Sequence, residues 1–150
     1  MSATVSADQF DTLFQHDTPL LDVRAPVEFA QGAFATATNL PLLTDAERQQ
    51  VGLTYRTAGR DAAIKLGHEL VAEAQREARL QTWQAFAASH PDGLLYCYRG
   101  GLRSQLVQQW LQQEAGVNIA RIEGGYKALR NFLLRALERS AEQASFILVS

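Results

Sequence analysis

Apolar residues fall along this chain in short runs separated by longer stretches of one-sided periodicity, the pattern of strands alternating with helices. Leu20-Leu21-Asp22-Val23-Arg24, set between Pro19 and Pro26, predicts a buried strand. Pro26 predicts the start of a short helix running to Gln31, which Gly32 stops. Ala37-Thr38-Asn39-Leu40, closed by Pro41, predicts a second strand, and Thr44 with Glu47 three residues later forms a helix-capping pattern. From about Ala58 to Ser89 the spacing predicts a long helical stretch. Ile64, Leu66, Leu70, Val71, Ala74, Ala78, Trp83 and Phe86 share one broad face of it, and Gly67 lies inside it. His90-Pro91-Asp92-Gly93 then breaks the chain.

Leu94-Leu95-Tyr96-Cys97 predicts the next strand and Ser104 to about Gln113 a helix with Leu106, Val107, Trp110 and Leu111 inward. After Gly116, Val117–Ile122 predicts another strand. Gly124-Gly125 turns into a helix from Tyr126 to about Ser140, burying Leu129, Phe132, Leu133, Ala136 and Leu137. Phe146-Ile147-Leu148-Val149-Ser150 predicts a last buried strand. The alternation implies an α/β domain with a mainly parallel central sheet flanked by helices, and a helical insertion around residues 44–90.

Composition narrows the class. At 150 residues, 47% hydrophobic and 20% charged, the chain is the size and make-up of one globular domain. No apolar run reaches the roughly 18 residues of a membrane-spanning helix. The N-terminal MSATVSADQFDTLF carries acids where a targeting peptide carries basic residues, so a cytoplasmic protein without membrane association is expected. One cysteine, Cys97, excludes an internal disulfide framework and zinc sites that need two cysteines, and no His-rich spacing suggests a metal. The net charge of −2 gives no bulk signal for nucleic acid. Its distribution is uneven: residues 1–96 carry 7 basic and 12 acidic side chains, whereas residues 97–150 carry 7 and 4.

The basic part begins at the segment most suggestive of chemistry, Cys97-Tyr98-Arg99-Gly100-Gly101-Leu102-Arg103-Ser104. A strand delivers the only thiol to its C-terminal end, where open α/β sheets bind ligands. The two glycines permit a tight loop whose N–H groups converge on one anionic centre. The helix opening at Ser104 adds its partial positive charge, and Arg99 and Arg103 add full ones, with Arg103 expected to aim back over the loop. Such surroundings favour a thiolate nucleophile, and the same cradle formed by Arg99, Gly100, Gly101, Leu102, Arg103 and Ser104 would hold phosphate, sulfate, thiosulfate or selenophosphate. Asp22 and Arg24 suit an ion pair at a strand end, and His16 and His68 suit surface positions.

Leu21-Asp22-Val23-Arg24, Glu28-Phe29, Gly32, Asn39-Leu40-Pro41, the loop cysteine and Gly124-Gly125-Tyr126 together resemble a rhodanese domain. Two features depart from compact rhodaneses. Five residues rather than four separate Cys97 from Arg103, and Ala33-Phe34-Ala35-Thr36 replaces the His-Ile-Pro-Gly stretch usual there. The loop length is shared with cysteine phosphatases and arsenate reductases of this fold. Cys97 through Gln105, Gln108-Gln109-Trp110-Leu111, Gly124 through Arg130, Gly52-Leu53-Thr54-Tyr55-Arg56, Gly59 and Ala63 through His68 resemble more specifically the bacterial tRNA 2-selenouridine synthases.

That resemblance implies a rhodanese-like domain over residues 1–140, with residues 141–150 beginning a truncated C-terminal P-loop domain, represented by its first strand. It implies a selenotransferase that converts 2-thiouridine at the tRNA wobble position, through an S-geranylated intermediate, into 2-selenouridine. Selenophosphate would be co-substrate and geranyl diphosphate would serve the full enzyme, with no cofactor in this domain. Cys97 would carry selenium or sulfur, and tRNA would bind mainly through the C-terminal domain. Two other readings of the loop stay open. One is a cysteine phosphatase or arsenate reductase using Cys97 and Arg103, although Tyr96 stands where tyrosine phosphatases place a histidine. The other is an anion- or RNA-binding module in which Cys97 is idle.

Overall fold

The computed structural model describes residues 3–149, and side chains through residue 141. Five strands, β1 (Thr4–Val5), β2 (Leu20–Asp22), β3 (Ala37–Asn39), β4 (Leu94–Tyr96) and β5 (Ala120–Ile122), make one parallel sheet in the order β1-β5-β4-β2-β3. Among the described residues seven α-helices surround it: α1 (Phe10–Gln15), α2 (Pro26–Gln31), α3 (Asp45–Ala58), α4 (Arg60–Leu70), α5 (Glu73–Ser89), α6 (Leu102–Ala115) and α7 (Gly125–Val149). The fold is the expected α/β architecture with its helical insertion.

Strand alternation sorts side chains into two cores. Leu20 and Tyr96 pack with Phe10, Leu13, Ile122 and Leu129 on one face. Leu21, Val23, Leu95 and Cys97 point to the other, among Trp83, Val107, Trp110 and Leu111. Both faces of the sheet are covered, as parallel sheets require. The register sets Asp22 opposite Tyr96 and Leu20 opposite Leu94, so the C-terminal ends of β2 and β4 open side by side at one edge.

The insertion is three helices rather than one long one. Thr44 caps α3 as its spacing predicts: its hydroxyl accepts from the Glu47 N–H at 3.2 Å, and its N–H donates to Glu47 Oε1 at 2.9 Å. Gly59, at φ +94°, separates α3 from α4, and the extended Ala72 separates α4 from α5. Each break resets the helical phase. Val71, Trp83 and Phe86 of the expected face are therefore buried, whereas Ala74 and Ala78 face solvent. Gly67 continues α4 unbroken, and a Cβ there would meet nothing within 4 Å. Gly67→Ala should therefore raise stability by about 0.5–1 kcal/mol by restricting the unfolded chain, read as a higher Tm.

Two expectations for the C-terminal segment are corrected. Leu137 is 65% exposed rather than buried. The strand expected from Phe146 is helix through Val149, and Ser150 lies outside the described residues. A strand's backbone groups need a partner strand, and among the described residues none pairs with 146–149. Continuing α7 satisfies those groups within the segment.

Candidate active site

Cys97 follows β4 directly and sits 3% exposed on the floor of a cleft of about 890 Å³. One wall is the loop itself, with Tyr98, Arg99 and Leu102; the other is α3, with Val51, Leu53 and Tyr55. The Cys97 thiol donates to Ser104 Oγ at 3.2 Å, and that hydroxyl donates to the Gly101 carbonyl, also at 3.2 Å. Sulfur and hydroxyl are thus fixed on the first turn of α6, whose leading N–H groups have no intrahelical acceptor.

The loop's carbonyls are held from outside. The Tyr126 N–H donates to the Cys97 carbonyl at 2.9 Å and the Lys127 N–H to the Tyr98 carbonyl at 3.0 Å. Arg121 Nη1 donates to the Gly100 carbonyl at 2.9 Å, while its Nε donates to Gln108 Oε1 at 3.0 Å. Among the described residues, no N–H from Tyr98 to Gly101 donates to a backbone acceptor. With carbonyls tied to α7 and β5 and these amides unengaged, the loop is a nest that can receive an anion beside the sulfur.

Gly124-Gly125-Tyr126 makes this closeness possible. Gly125 has φ +61°, and a Cβ there would lie 2.6 Å from the Gly100 nitrogen. The aromatic ring of Tyr126 stacks under Arg24, whose guanidinium carbon is 3.9 Å from the ring centroid. Arg24 is the expected ion-pair partner of Asp22: Nη2 reaches Asp22 Oδ2 at 2.7 Å, and Asp22 also accepts from the Tyr96 hydroxyl at 2.7 Å. Burial opposes the charge on Arg24, but the Asp22 hydrogen bonds and charge outweigh it and hold the pKa above its ordinary value. Burial first, and then the Asp22 carboxylate, raise the Tyr96 phenol, so it remains a neutral donor. Asp22, Arg24 and Tyr96 therefore form the scaffold beneath the loop.

Arg103 does not reach back over the loop. Its guanidinium meets Glu28 of α2 in a forked pair, Nη1 to Oε1 at 2.5 Å and Nη2 to Oε2 at 3.1 Å. Glu28 also accepts from the Ala25 N–H and from Arg48 Nε, each at 3.0 Å. A fork on a carboxylate is the preferred guanidinium geometry, and it competes with any anion for the same donors. Arg99, by contrast, makes no ion pair among the described residues and stands exposed at the cleft. Of the expected loop residues, the structure places Arg99, Gly101, Leu102 and Arg103 on the cleft wall. Ser104 lies on the sulfur, and Gly100 packs against Gly124. Sequence reasoning missed the roles of Glu28, Arg48 and Arg121; the capping position of Glu28 after Pro26 was the one local signal.

Burial would raise the Glu28 pKa, but the hydrogen bonds and charge of Arg103, with Ala25 N–H and Arg48, leave it below its ordinary 4.5. A group lowered on folding contributes stability in full above its unfolded value and loses it as the pH falls through the folded one. Glu28→Gln should cost about 1.5–3 kcal/mol at neutral pH, because it removes the charged acceptor of the buried Ala25 N–H and of the partly buried Arg103 fork. It should also flatten part of the stability loss below pH 4.5. Urea unfolding of both proteins at neutral pH and across that acid window checks both.

A parallel five-stranded sheet whose central strand ends in a cysteine loop nested on a helix N-terminus defines a rhodanese-type domain. The rhodanese-like domain family model matches residues 6–131, and the chain belongs to that family. Curated relatives named tRNA 2-selenouridine synthase are similar over nearly all of it. The one from Pseudomonas putida KT2440 is 57% identical over 140 residues, covering 93% of this chain and 38% of the relative. The one from Verminephrobacter eiseniae is 58% identical over 142 residues, covering 95% and 39%. The chain thus spans about two fifths of these relatives. A crystal structure of the N-terminal domain of a Clostridium difficile 630 protein named for ATP/GTP binding superposes with a TM-score of 0.73. It is 31% identical, covering 88% of this chain and 99% of that one. A rhodanese-related protein from Thermoplasma volcanium, 19% identical at a TM-score of 0.50, covers 86% and 91% and shares the fold. Among the described residues no helix is long and apolar enough to cross a membrane.

Proposed function

We propose that this chain is the sulfur- or selenium-carrying domain of a cytoplasmic tRNA-modifying transferase, with Cys97 as the carrier. The observation that carries the reading is the placement of the only thiol beneath an open amide nest, in a chain 56–58% identical to tRNA 2-selenouridine synthases. The transferred atom would pass through a Cys97 persulfide, or through a perselenide where the donor carries selenium at the sulfane level, as selenosulfate does. Loading from thiosulfate balances simply. The Cys97 sulfur attacks the outer sulfur, the S–S bond of thiosulfate breaks, and sulfite leaves with the bonding pair. The amides of residues 98–101 and the charge of Arg99, which makes no ion pair among the described residues, would stabilise the terminal anion.

In the whole enzyme the same reading assigns conversion of 2-thiouridine, through its S-geranyl form, to 2-selenouridine with selenophosphate and geranyl diphosphate. The remaining three fifths of the relatives' length would supply most of the tRNA contacts and the P-loop. The likeness to an N-terminal domain of a protein named for ATP/GTP binding supports that division. The phosphatase reading is less well supported, because Arg103, which would clamp a phosphate, is forked onto Glu28. Mass spectrometry of Cys97 tests the proposal. An added sulfur from thiosulfate, or an added selenium from selenosulfate, with sulfite leaving in each case, is expected. A phospho-adduct after incubation with selenophosphate, or no adduct with thiosulfate, overturns it.

A further inference from the structure

A second pocket, of about 430 Å³, adjoins the cysteine cleft between α2, α3 and the start of α7. Tyr98 and Arg48 line both cavities, so the two are separated by the width of one side chain. Two near-parallel rings stand at this pocket: Tyr98 and Tyr126, with centroids 6.2 Å apart and planes inclined by 26°. Tyr126 is pinned by Arg24 stacked over its ring, whereas Tyr98 is exposed. Arg130, one helical turn beyond Tyr126, lines the pocket and makes no ion pair among the described residues. Glu28 is the one acid on the wall, and its oxygens are taken up by Arg103, Arg48 and the Ala25 N–H. The pocket therefore offers aromatic faces and guanidinium groups, with its carboxylate already neutralised.

Exposed aromatic rings interleaved with arginines are the chemistry that holds unstacked nucleobases and their phosphates. We propose that this pocket is a nucleotide subsite for single-stranded RNA. The base lies against Tyr98 and Tyr126, and Arg130 and Arg48 hold the flanking phosphates. Because Tyr98 is also a wall of the cysteine cleft, the subsite takes the nucleotide next to the one presented to Cys97. That last assignment rests on the proposed tRNA reading, while the stacking and charge of the pocket do not. The consequence is that the rhodanese-like domain itself sets the distance between a bound RNA strand and the reactive sulfur.

The test uses the 150-residue chain and end-labelled pentauridylate, with binding read by fluorescence anisotropy. Tyr98→Leu should weaken binding about tenfold through lost stacking. Arg130→Gln should weaken it comparably and lower the slope of log affinity against log salt by about one, which Tyr98→Leu should not do. Arg139→Gln, farther along α7, should change neither. Uridine monophosphate should compete at far lower concentration than inorganic phosphate. Unchanged binding in both variants, or equal competition by phosphate and nucleotide, overturns the subsite. Thermal melts of each variant separate lost binding from lost folding, and both replaced side chains are exposed. Cys97 loading is measured on the unsubstituted chain. Failure to load with the pocket effects intact would remove the carrier reading and leave the subsite standing; loading with no pocket effect would do the reverse.

Discussion

Cys97→Ala should abolish sulfur and selenium loading entirely while the protein stays folded. The chain has no second thiol to take over, so no residual route exists within it. The sulfur lies in the core beside Ser104, and its removal leaves a small gap on the cleft floor rather than an unpaired charge. The loss of stability should be about 1 kcal/mol, within the common range for a conservative core truncation. The Ser104 hydroxyl keeps the Gly101 carbonyl as its acceptor, so no buried polar group is orphaned. Intact-protein mass spectrometry after exposure to each donor reads the loading, and a thermal melt reads the fold. An unchanged mass shift in the folded variant would move the acceptor away from Cys97 and end the carrier proposal.

The parts of this domain legible from sequence are those dictated by local chemistry. The run from Leu20, the Pro26 helix start, the Thr44–Glu47 cap and the glycine that ends α6 at φ +65° each follow from residues within one turn of one another. The cysteine loop was legible for the same reason, since a strand, two glycines and a helix start are contiguous. Strand β1 was not. Thr4 and Val5 carry no strand pattern, and they are ordered by Arg121 and Glu123 donating to Ala3 and Val5 across the sheet edge. The Glu28–Arg103 fork joins residues 75 positions apart, and periodicity carries no information about such a pair. Their meeting reverses the availability of the two loop arginines, which composition alone would treat as equals. The C-terminal apolar run shows the opposite failure. Its residues suit a strand, but strand formation depends on pairing across the sheet, and among the described residues no strand pairs with it; the segment continues α7 instead.

Gly125→Ala should be the most damaging substitution outside the cysteine itself, although residue 125 touches no substrate. The residue sits at φ +61°, where a side chain costs about 1–2 kcal/mol. Its added carbon would also collide with backbone, not with a movable side chain: the Cys97 carbonyl, the Gly100 nitrogen and the Tyr98 carbonyl all crowd the position. Relief requires α7 to retreat from the loop, which breaks the Tyr126 and Lys127 hydrogen bonds that turn the loop carbonyls outward. Overpacking of this kind adds about 1–3 kcal/mol, giving a total loss of about 2–5 kcal/mol. Carbonyls released from α7 would be free to turn toward the sulfur and replace an attractive nest with a repulsive one. Loading of Cys97 should therefore fall at least tenfold even at temperatures where the variant is fully folded. Gly101→Ala separates this from a general intolerance of the loop, since nothing lies within 4 Å of its added carbon and its φ is negative. Urea unfolding of the two variants should show a large loss for Gly125→Ala and a small one for Gly101→Ala. Equal stabilities would mean that the contact between α7 and the loop does not set the geometry around Cys97.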